Sequence, residues 1–176
     1  MDLFAQSEHD YAAQSILLST SLDKLNEIRQ AIETMLPNME RKEVIAHALA
    51  HQGALIYSPN RDDLAALIDR LAPEHLELML KNPMRLAKRV RNAGAIFVGS
   101  HSAEVLGDYC AGPNHVLPTS GSARFGSPLG VYDFIKRTSI IACSVEGSKK
   151  LAKTASVLAH EEGLTAHRRS AEFRAG

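Results

Sequence analysis

Short apolar runs alternate with longer amphipathic stretches along most of this chain. The apolar runs lie at residues 15–20, 53–58, 95–98 and 139–144. Between them, apolar side chains recur three and four residues apart, which is the spacing of one helix face. The first such stretch contains Leu22, Leu25, Ile28, Ile32 and Leu36. Short buried strands separated by helices are typical of a parallel sheet covered by helices, so we predict an α/β fold.

The chain of 176 residues is long enough for one ordinary domain with its own core. We assign residues 1–145 to an α/β portion and residues 146–176 to a helical C-terminal segment. Further helices are predicted at residues 41–52, 60–71 and 84–92. The tail after Gly163 is polar, so we expect it to pack on something other than its own core. Residues 2–8 have helix-forming residues without a start signal, like the end of a longer helix.

Composition excludes several classes of function. Lys+Arg and Asp+Glu number 20 each, so no net charge favours nucleic acid or an acidic membrane. The apolar runs are too short to span a bilayer. Two cysteines and no secretory leader favour a reducing cytoplasm over a disulfide scaffold. Neither a Gly-x-Gly-x-x-Gly fingerprint nor a Walker-type phosphate loop is present, so motifs alone indicate no nucleotide site.

Gln6 and His9 are three residues apart, so on a helix they would share one face and could converge on one ion. Imidazole nitrogen suits zinc, Asp108 could add an oxygen ligand, and His167 is a candidate fourth ligand. Two polar residues at this spacing are more often a solvated face or a hydrogen-bonded pair. Glutamine is also a poor zinc ligand, so the spacing alone leaves both interpretations open.

Glu74 and His75 directly follow Pro73 and also allow two interpretations. Pro-Glu at a helix start would place a carboxylate at the positive end of the helix dipole and leave His75 as an ordinary first-turn residue. The functional alternative is an acid/base pair, with a histidine near neutral pKa and a carboxylate that orders water.

Residues 107–130 are rich in glycine and proline and lack an apolar period, so we predict a long loop. Loops of this length in a compact domain are usually functional or disordered. Residues 107–115 carry the polar groups Asp108, Tyr109, Asn114 and His115, which could position chemistry or bond the local backbone in a turn. Cys110 has no evident general base, which argues against a nucleophilic role.

Four segments taken in order resemble the carboxyl-terminal portion of histidinol dehydrogenase. They are Ala5-Gln6-Ser7-Glu8-His9-Asp10, Ala72-Pro73-Glu74-His75-Leu76-Glu77, residues 107–125 beginning Gly107-Asp108-Tyr109-Cys110-Ala111-Gly112-Pro113-Asn114-His115, and Glu162-Gly163-Leu164-Thr165-Ala166-His167. The resemblance covers essentially the whole chain, and the combination of segments is highly specific.

This resemblance implies an NAD-dependent, zinc-containing enzyme that oxidises L-histidinol to L-histidine through L-histidinal. It implies part of an incomplete Rossmann-like parallel sheet with flanking helices, and a homodimer with crossed C-terminal tails. One zinc ion per subunit would be held by Gln6, His9, Asp108 and His167, and Glu74 and His75 would be the acid/base pair. The residues that would hold the substrate are Gln6, His9, His75, Asp108, Glu162 and His167.

Complete members of that family are more than twice this length, and their upstream part supplies much of the NAD contact surface. We therefore expect this sequence to be partial, with Met1 an internal residue; the alternative is a naturally short gene product. Two other functions stay open. One is a zinc hydrolase in which Glu74 activates a metal-bound water, and the other is a non-catalytic zinc-binding remnant.

Overall fold

The computed structural model describes residues 1–175 as an arrangement of helices and short parallel strands. The strands are β1 (Ile16–Ser19), β2 (Ala54–Tyr57), β3 (His75–Leu78) and β4 (Ala95–Val98). The helices are α1 (Asp2–Ser7), α2 (Leu22–Met35), α3 (Lys42–Gln52), α4 (Leu64–Leu71), α5 (Pro83–Ala87), α6 (Glu104–Tyr109), α7 (Val145–Glu161) and α8 (Thr165–Ala175). Within these residues, none of the helices is both long enough and apolar enough to cross a membrane.

The strands form two parallel pairs, β1 with β2 and β3 with β4. Each pair is joined by a helical crossover, as parallel strands require. The predicted α/β architecture, with a parallel sheet, flanking helices and a helical C-terminal segment, is confirmed; its strands pair two by two in separate sheets.

The chain divides into two compact units, one from Met1 to Phe134 and one from Ile135 onward. In the first unit, α4 lays an apolar face on β3 and α5. Its core consists of Leu64, Ala65, Ile68, Leu78 and Leu86. Leu64 and Ala65 lie four and three residues before Ile68, so all three are on the same side of α4, and this apolar side of the helix is buried.

In the second unit, α7 and α8 pack against each other around the small buried residues Ala152 and Ala159. The Ser156 hydroxyl donates to Glu172 Oε1 at 3.2 Å. Arg168 Nη1 lies 3.3 Å from His160 Nδ1. The later residue of α7 thus meets the earlier residue of α8, so the two helices run antiparallel. The turn between them requires Gly163, whose φ of +72° is in the left-handed region.

Local start signals explain several boundaries. Ser21 caps α2 as predicted, because its hydroxyl accepts the backbone N–H of Lys24 at 3.2 Å. The helix predicted at residues 84–92 is shorter than expected, because α5 spans only Pro83–Ala87. The strand predicted at residues 139–144 does not form; Ile140 and Ile141 are 90% and 86% exposed, and no strand in residues 1–175 pairs with them. An apolar run without a neighbouring strand has nothing to satisfy its backbone groups as a sheet.

Candidate active site

The backbone of Glu74 and His75 is fixed by the parallel pairing of β3 with β4. The Ala95 N–H donates to the Glu74 carbonyl at 2.8 Å, and His75 stands opposite Ala95 in the register. Residue 94 must be glycine for this approach, because a Cβ there would lie 2.6 Å from the Glu74 carbonyl oxygen. His75 is therefore a strand residue, and the alternative that it occupies a helix first turn is wrong.

Three side chains converge at the start of β3. His75 Nε2 lies 2.8 Å from His115 Nε2, and Glu104 Oε1 lies 3.3 Å from His115 Nε2 and 3.8 Å from His75 Nε2. Their side chains are only 16% (His75), 18% (His115) and 16% (Glu104) exposed. Because the two Nε2 atoms face each other, one ring must donate an N–H and the other must accept it.

The electrostatic surroundings favour a neutral His75. Burial lowers the pKa of His75, and the neighbouring imidazoles of His115 and His9 lower it further, while the Glu74 and Asp108 carboxylates raise it. Glu74 Oε1 is 4.0 Å from His75 Nε2. A neutral imidazole beside a carboxylate can accept a proton near neutral pH, which is what a general base requires.

Asp108 lies in the last turn of α6, where the sequence predicted the start of a loop. Glu104 and Asp108 are four residues apart, so they share one face of α6. The helix is held close to β4 because Gly107 is buried against Phe97; a Cβ on Gly107 would lie 2.5 Å from the ring carbon Cε1. The Phe97 ring centroid is 6.2 Å from that of His75.

The loop after α6 positions His115 through its neighbour Asn114. The Asn114 side chain accepts the N–H of Val116 at 2.9 Å and donates to the Leu129 carbonyl at 2.6 Å. A structural turn was one of the two predicted roles of Asn114, and the structure shows this turn. Its effect is to hold His115 toward β3.

Gln6 and His9 belong to the region around α1. Gln6 is in the helix and His9 lies just beyond its end, with the His9 N–H 3.4 Å from the Gln6 carbonyl. The helix is tied to the chain before β1 by Ser7, whose fully buried hydroxyl donates to the Leu3 carbonyl at 2.7 Å and pairs with the Ser15 hydroxyl at 2.8 Å. This anchoring fixes the position of α1, the helix that carries Gln6 and directly precedes His9.

The remaining candidates, Glu162 and His167, are exposed residues of the second unit. Glu162 is the C-cap of α7, and His167 is in the first turn of α8. Gly163 lies between them, so its left-handed turn sets the direction in which α8 leaves α7.

The structure thus brings Glu74 and His75 together, with His9 and Asp108 close enough to act on the pKa of His75. It adds Glu104, which was not predicted from the sequence, and gives His115 two specific partners. Glu104 had one usable signal, its four-residue spacing from Asp108. The convergence of His115 with β3 depends on contacts across 40 residues of sequence, which no local pattern encodes.

Taken together, the fold and the site define an α/β protein that gathers imidazoles and carboxylates beside a parallel strand pair. Residues 1–175 match the family model for histidinol dehydrogenase. The chain belongs to the histidinol dehydrogenase family, a family of oxidoreductases.

Relatives show how much of the family's length is represented. Histidinol dehydrogenase of Thiocapsa roseopersicina is 60% identical over 174 residues, which cover 99% of this chain and 75% of that protein. The enzymes of Methylococcus capsulatus and Pseudomonas aeruginosa are 57% and 58% identical, again over 99% of this chain but over 40% of each relative. The crystal structure of histidinol dehydrogenase from Elizabethkingia anophelis matches with a TM-score of 0.88 at 32% identity, over 98% of this chain and 40% of that one. The chain therefore spans about 40% of most of these relatives, and the region matched is their carboxyl-terminal portion.

Proposed function

We propose that this chain supplies the acid/base, substrate-binding and metal-binding residues of a histidinol dehydrogenase. The reaction is the NAD-dependent oxidation of L-histidinol to L-histidine through L-histidinal, the last step of histidine biosynthesis. The observation that carries the proposal is the half-buried His75, held neutral by its surroundings and placed 4.0 Å from the Glu74 carboxylate. Family membership supplies the substrate class.

The two residues take different steps. His75 Nε2 accepts the hydroxyl proton of the alcohol, because a neutral imidazole has a free lone pair. Glu74 removes a proton from the water that attacks the aldehyde carbon, so that the resulting hydrate can be oxidised to the acid. NAD, when bound, is the hydride acceptor in both oxidations, and we assign most of its contacts to residues upstream of this chain.

For the metal we propose zinc, one per subunit, with Gln6, His9, Asp108 and His167 as ligands. The donor chemistry fits, since an imidazole nitrogen and carboxylate and amide oxygens are available, and His9 and Asp108 both act on the same imidazole of His75. Bound zinc would anchor the substrate's imidazole and amine, which is orientation rather than redox chemistry. Gln6, His9, His75, Asp108, Glu162 and His167 would contact the substrate.

We further propose a homodimer in which residues 146–176 of one subunit complete the site of the other. The second unit supports this, because α7 and α8 form a compact unit of their own that carries Glu162 and His167 on its surface. The exposed free cysteines Cys110 and Cys143 favour the reducing cytoplasm as its location.

The test is a chimera in which this chain replaces the matching 40% of the Methylococcus capsulatus enzyme. We expect the purified chimera to form reduced nicotinamide when given L-histidinol and NAD, and to contain zinc that His9→Ala removes. His101→Ala is the matched control, because His101 is an exposed histidine outside the site. A folded chimera that binds zinc but reduces no NAD would refute the proposal and favour a hydrolase. One that neither binds zinc nor turns over would favour a non-catalytic remnant.

A further inference from the structure

The cluster formed by His75, Glu104 and His115 does not belong to the zinc ligand set proposed above. We propose that these three side chains form a second site for a divalent transition-metal ion such as Zn²⁺. They are two imidazoles and one carboxylate, and their ligand atoms all lie within 4.8 Å of one another. Two histidines and one carboxylate with an open position are a donor set that zinc adopts in proteins.

The distances suit such an ion. In a tetrahedral zinc site with bonds of about 2.0–2.1 Å, neighbouring ligand atoms are roughly 3.3 Å apart. The three distances between His75 Nε2, His115 Nε2 and Glu104 Oε1 are 2.8, 3.3 and 3.8 Å, so they lie on both sides of that value. Small rotations of the side chains would equalise them, and the Glu74 carboxylate is nearby, with Oε1 4.0 Å from His75 Nε2.

Each ligand is held by a different element. His75 is in β3, Glu104 begins α6, and His115 is positioned by the hydrogen bonds of Asn114. Two of the three side chains therefore come from regular elements, and the third comes from a loop held by side-chain hydrogen bonds, which lowers the cost of organising a site.

Charge and protonation also favour a cation. The facing Nε2 atoms can share only one proton, and a metal ion replaces that proton while bonding to both lone pairs. Glu104 contributes a negative charge at 3.3 Å from His115, and Glu74 and Asp108 act on the same cluster. Partial burial of all three side chains strengthens these interactions relative to those on an open surface.

This site has a consequence that rests on the proposed function. A metal ion at Nε2 of His75 occupies the atom that would accept the hydroxyl proton. The second equivalent of metal should therefore inhibit the oxidation, while the first, at Gln6, His9, Asp108 and His167, supports it.

Metal binding at this second site can be tested without an activity assay, on the purified, metal-free 176-residue chain. Co²⁺ titration followed by its visible absorption counts the sites and reports their ligands. We expect His115→Ala to remove one equivalent. Glu104→Gln should weaken the same equivalent by at least about tenfold, since loss of even an outer-shell partner costs that much. His101→Ala is the matched control and should change nothing.

His9→Ala separates this proposal from the proposed zinc site. The second site should survive His9→Ala, whatever happens to the first equivalent. If the wild type and the folded His115→Ala variant bind the same number of Co²⁺ ions with equal affinity, the second site is excluded. Should His115→Ala fail to fold, ¹⁵N spectra of the wild-type histidine rings decide the matter. Zn²⁺ must then shift the Nε2 resonances of both His75 and His115, and unchanged resonances overturn the proposal.

Discussion

Glu77 Oε1 accepts the backbone N–H of Glu104 at 2.7 Å, which joins the middle of β3 to the first turn of α6. His75 and Glu77 are two residues apart in the strand, so both side chains stand on the same face. One of them meets the Glu104 side chain and the other holds the Glu104 backbone. This double connection fixes α6, and with it Asp108, beside His75.

Replacing Glu77 by glutamine is expected to change how stability depends on pH. Burial raises the pKa of Glu77, and the nearby carboxylates of Asp2 and Glu104 raise it further, against the hydrogen bond from Glu104. The folded state therefore binds this proton more tightly than the unfolded state, and the wild type loses stability as pH rises from about 4.5 through the folded-state pKa. Glutamine keeps an acceptor oxygen and does not titrate.

The measurement is the free energy of unfolding of both proteins in urea between pH 4 and pH 7. Relative to the wild type, Glu77→Gln should gain stability as the pH rises. Asp62→Asn is a control carboxylate on the surface, paired with Arg89 outside this region. A wild-type-minus-variant difference that is constant across the range would contradict the assignment of the raised pKa.

Gly107→Ala should destabilise the protein even though alanine is the better helix former. The added methyl group would lie 2.5 Å from the Phe97 ring, and overpacking of this kind costs about 1–3 kcal/mol. Propensity alone predicts a gain of roughly 1 kcal/mol. Thermal or denaturant unfolding shows whether the variant has a lower or a higher free energy of unfolding than the wild type. The cost should shrink when Phe97→Leu is also present, and an equal cost in both backgrounds would show that the ring is not the cause.

The acid/base assignments predict different losses in the two half-reactions of the chimera. Glu74→Gln should impair oxidation of the aldehyde about a hundredfold or more, and that of the alcohol less, because only the aldehyde stage needs activated water. His75→Asn should impair the alcohol stage through loss of its base. Rates of NAD reduction from L-histidinol and from L-histidinal measure both. Equal losses in both stages for both variants would refute this division.

The crossed dimer predicts complementation between two defective chains. Mixed dimers of His9→Ala and His167→Ala chains should regain one intact zinc site. It would combine the first unit of the His167→Ala chain with the second unit of the His9→Ala chain. The two variants are unfolded, refolded together, and assayed for tight zinc after mass spectrometry confirms mixed dimers. If His167 acts within its own chain, every site lacks a ligand and no tight zinc returns.

Elements with a clear apolar pattern were predictable from sequence, and those with a masked pattern or without a pairing partner were not. The pattern of α2 and of the runs at 15–20, 53–58 and 95–98 is strong enough to specify a helix and three strands. His75-Leu76-Glu77-Leu78 alternates polar and apolar residues, a strand signal that the preceding Pro73-Glu74 masked as a helix start. Residues 139–144 have strand composition but no pairing partner.

The site divides in the same way. Glu74 and His75 were predicted as an acid/base pair because they are adjacent in sequence, and the structure places Glu74 Oε1 4.0 Å from His75 Nε2; their catalytic roles stay a prediction. Glu104 and His115 were missed as a pair, since their meeting with His75 depends on how α6 and the following loop return to the strand. The zinc ligand set stays a prediction, to be tested by metal content.

The connection between β3 and β4 is short, with the brief helix α5 inside it, whereas β1 reaches β2 only through both α2 and α3. The entropy lost on closing a loop grows with its length, so the β3–β4 pairing is the cheaper one to form. We expect the chain to acquire the Glu74–Ala95 hydrogen bond early in folding, before the region of Gln6 and His9 is docked. In pulse-labelling hydrogen exchange, the Gly94 and Ala95 amides would be protected ahead of the Ala54 and Ser58 amides.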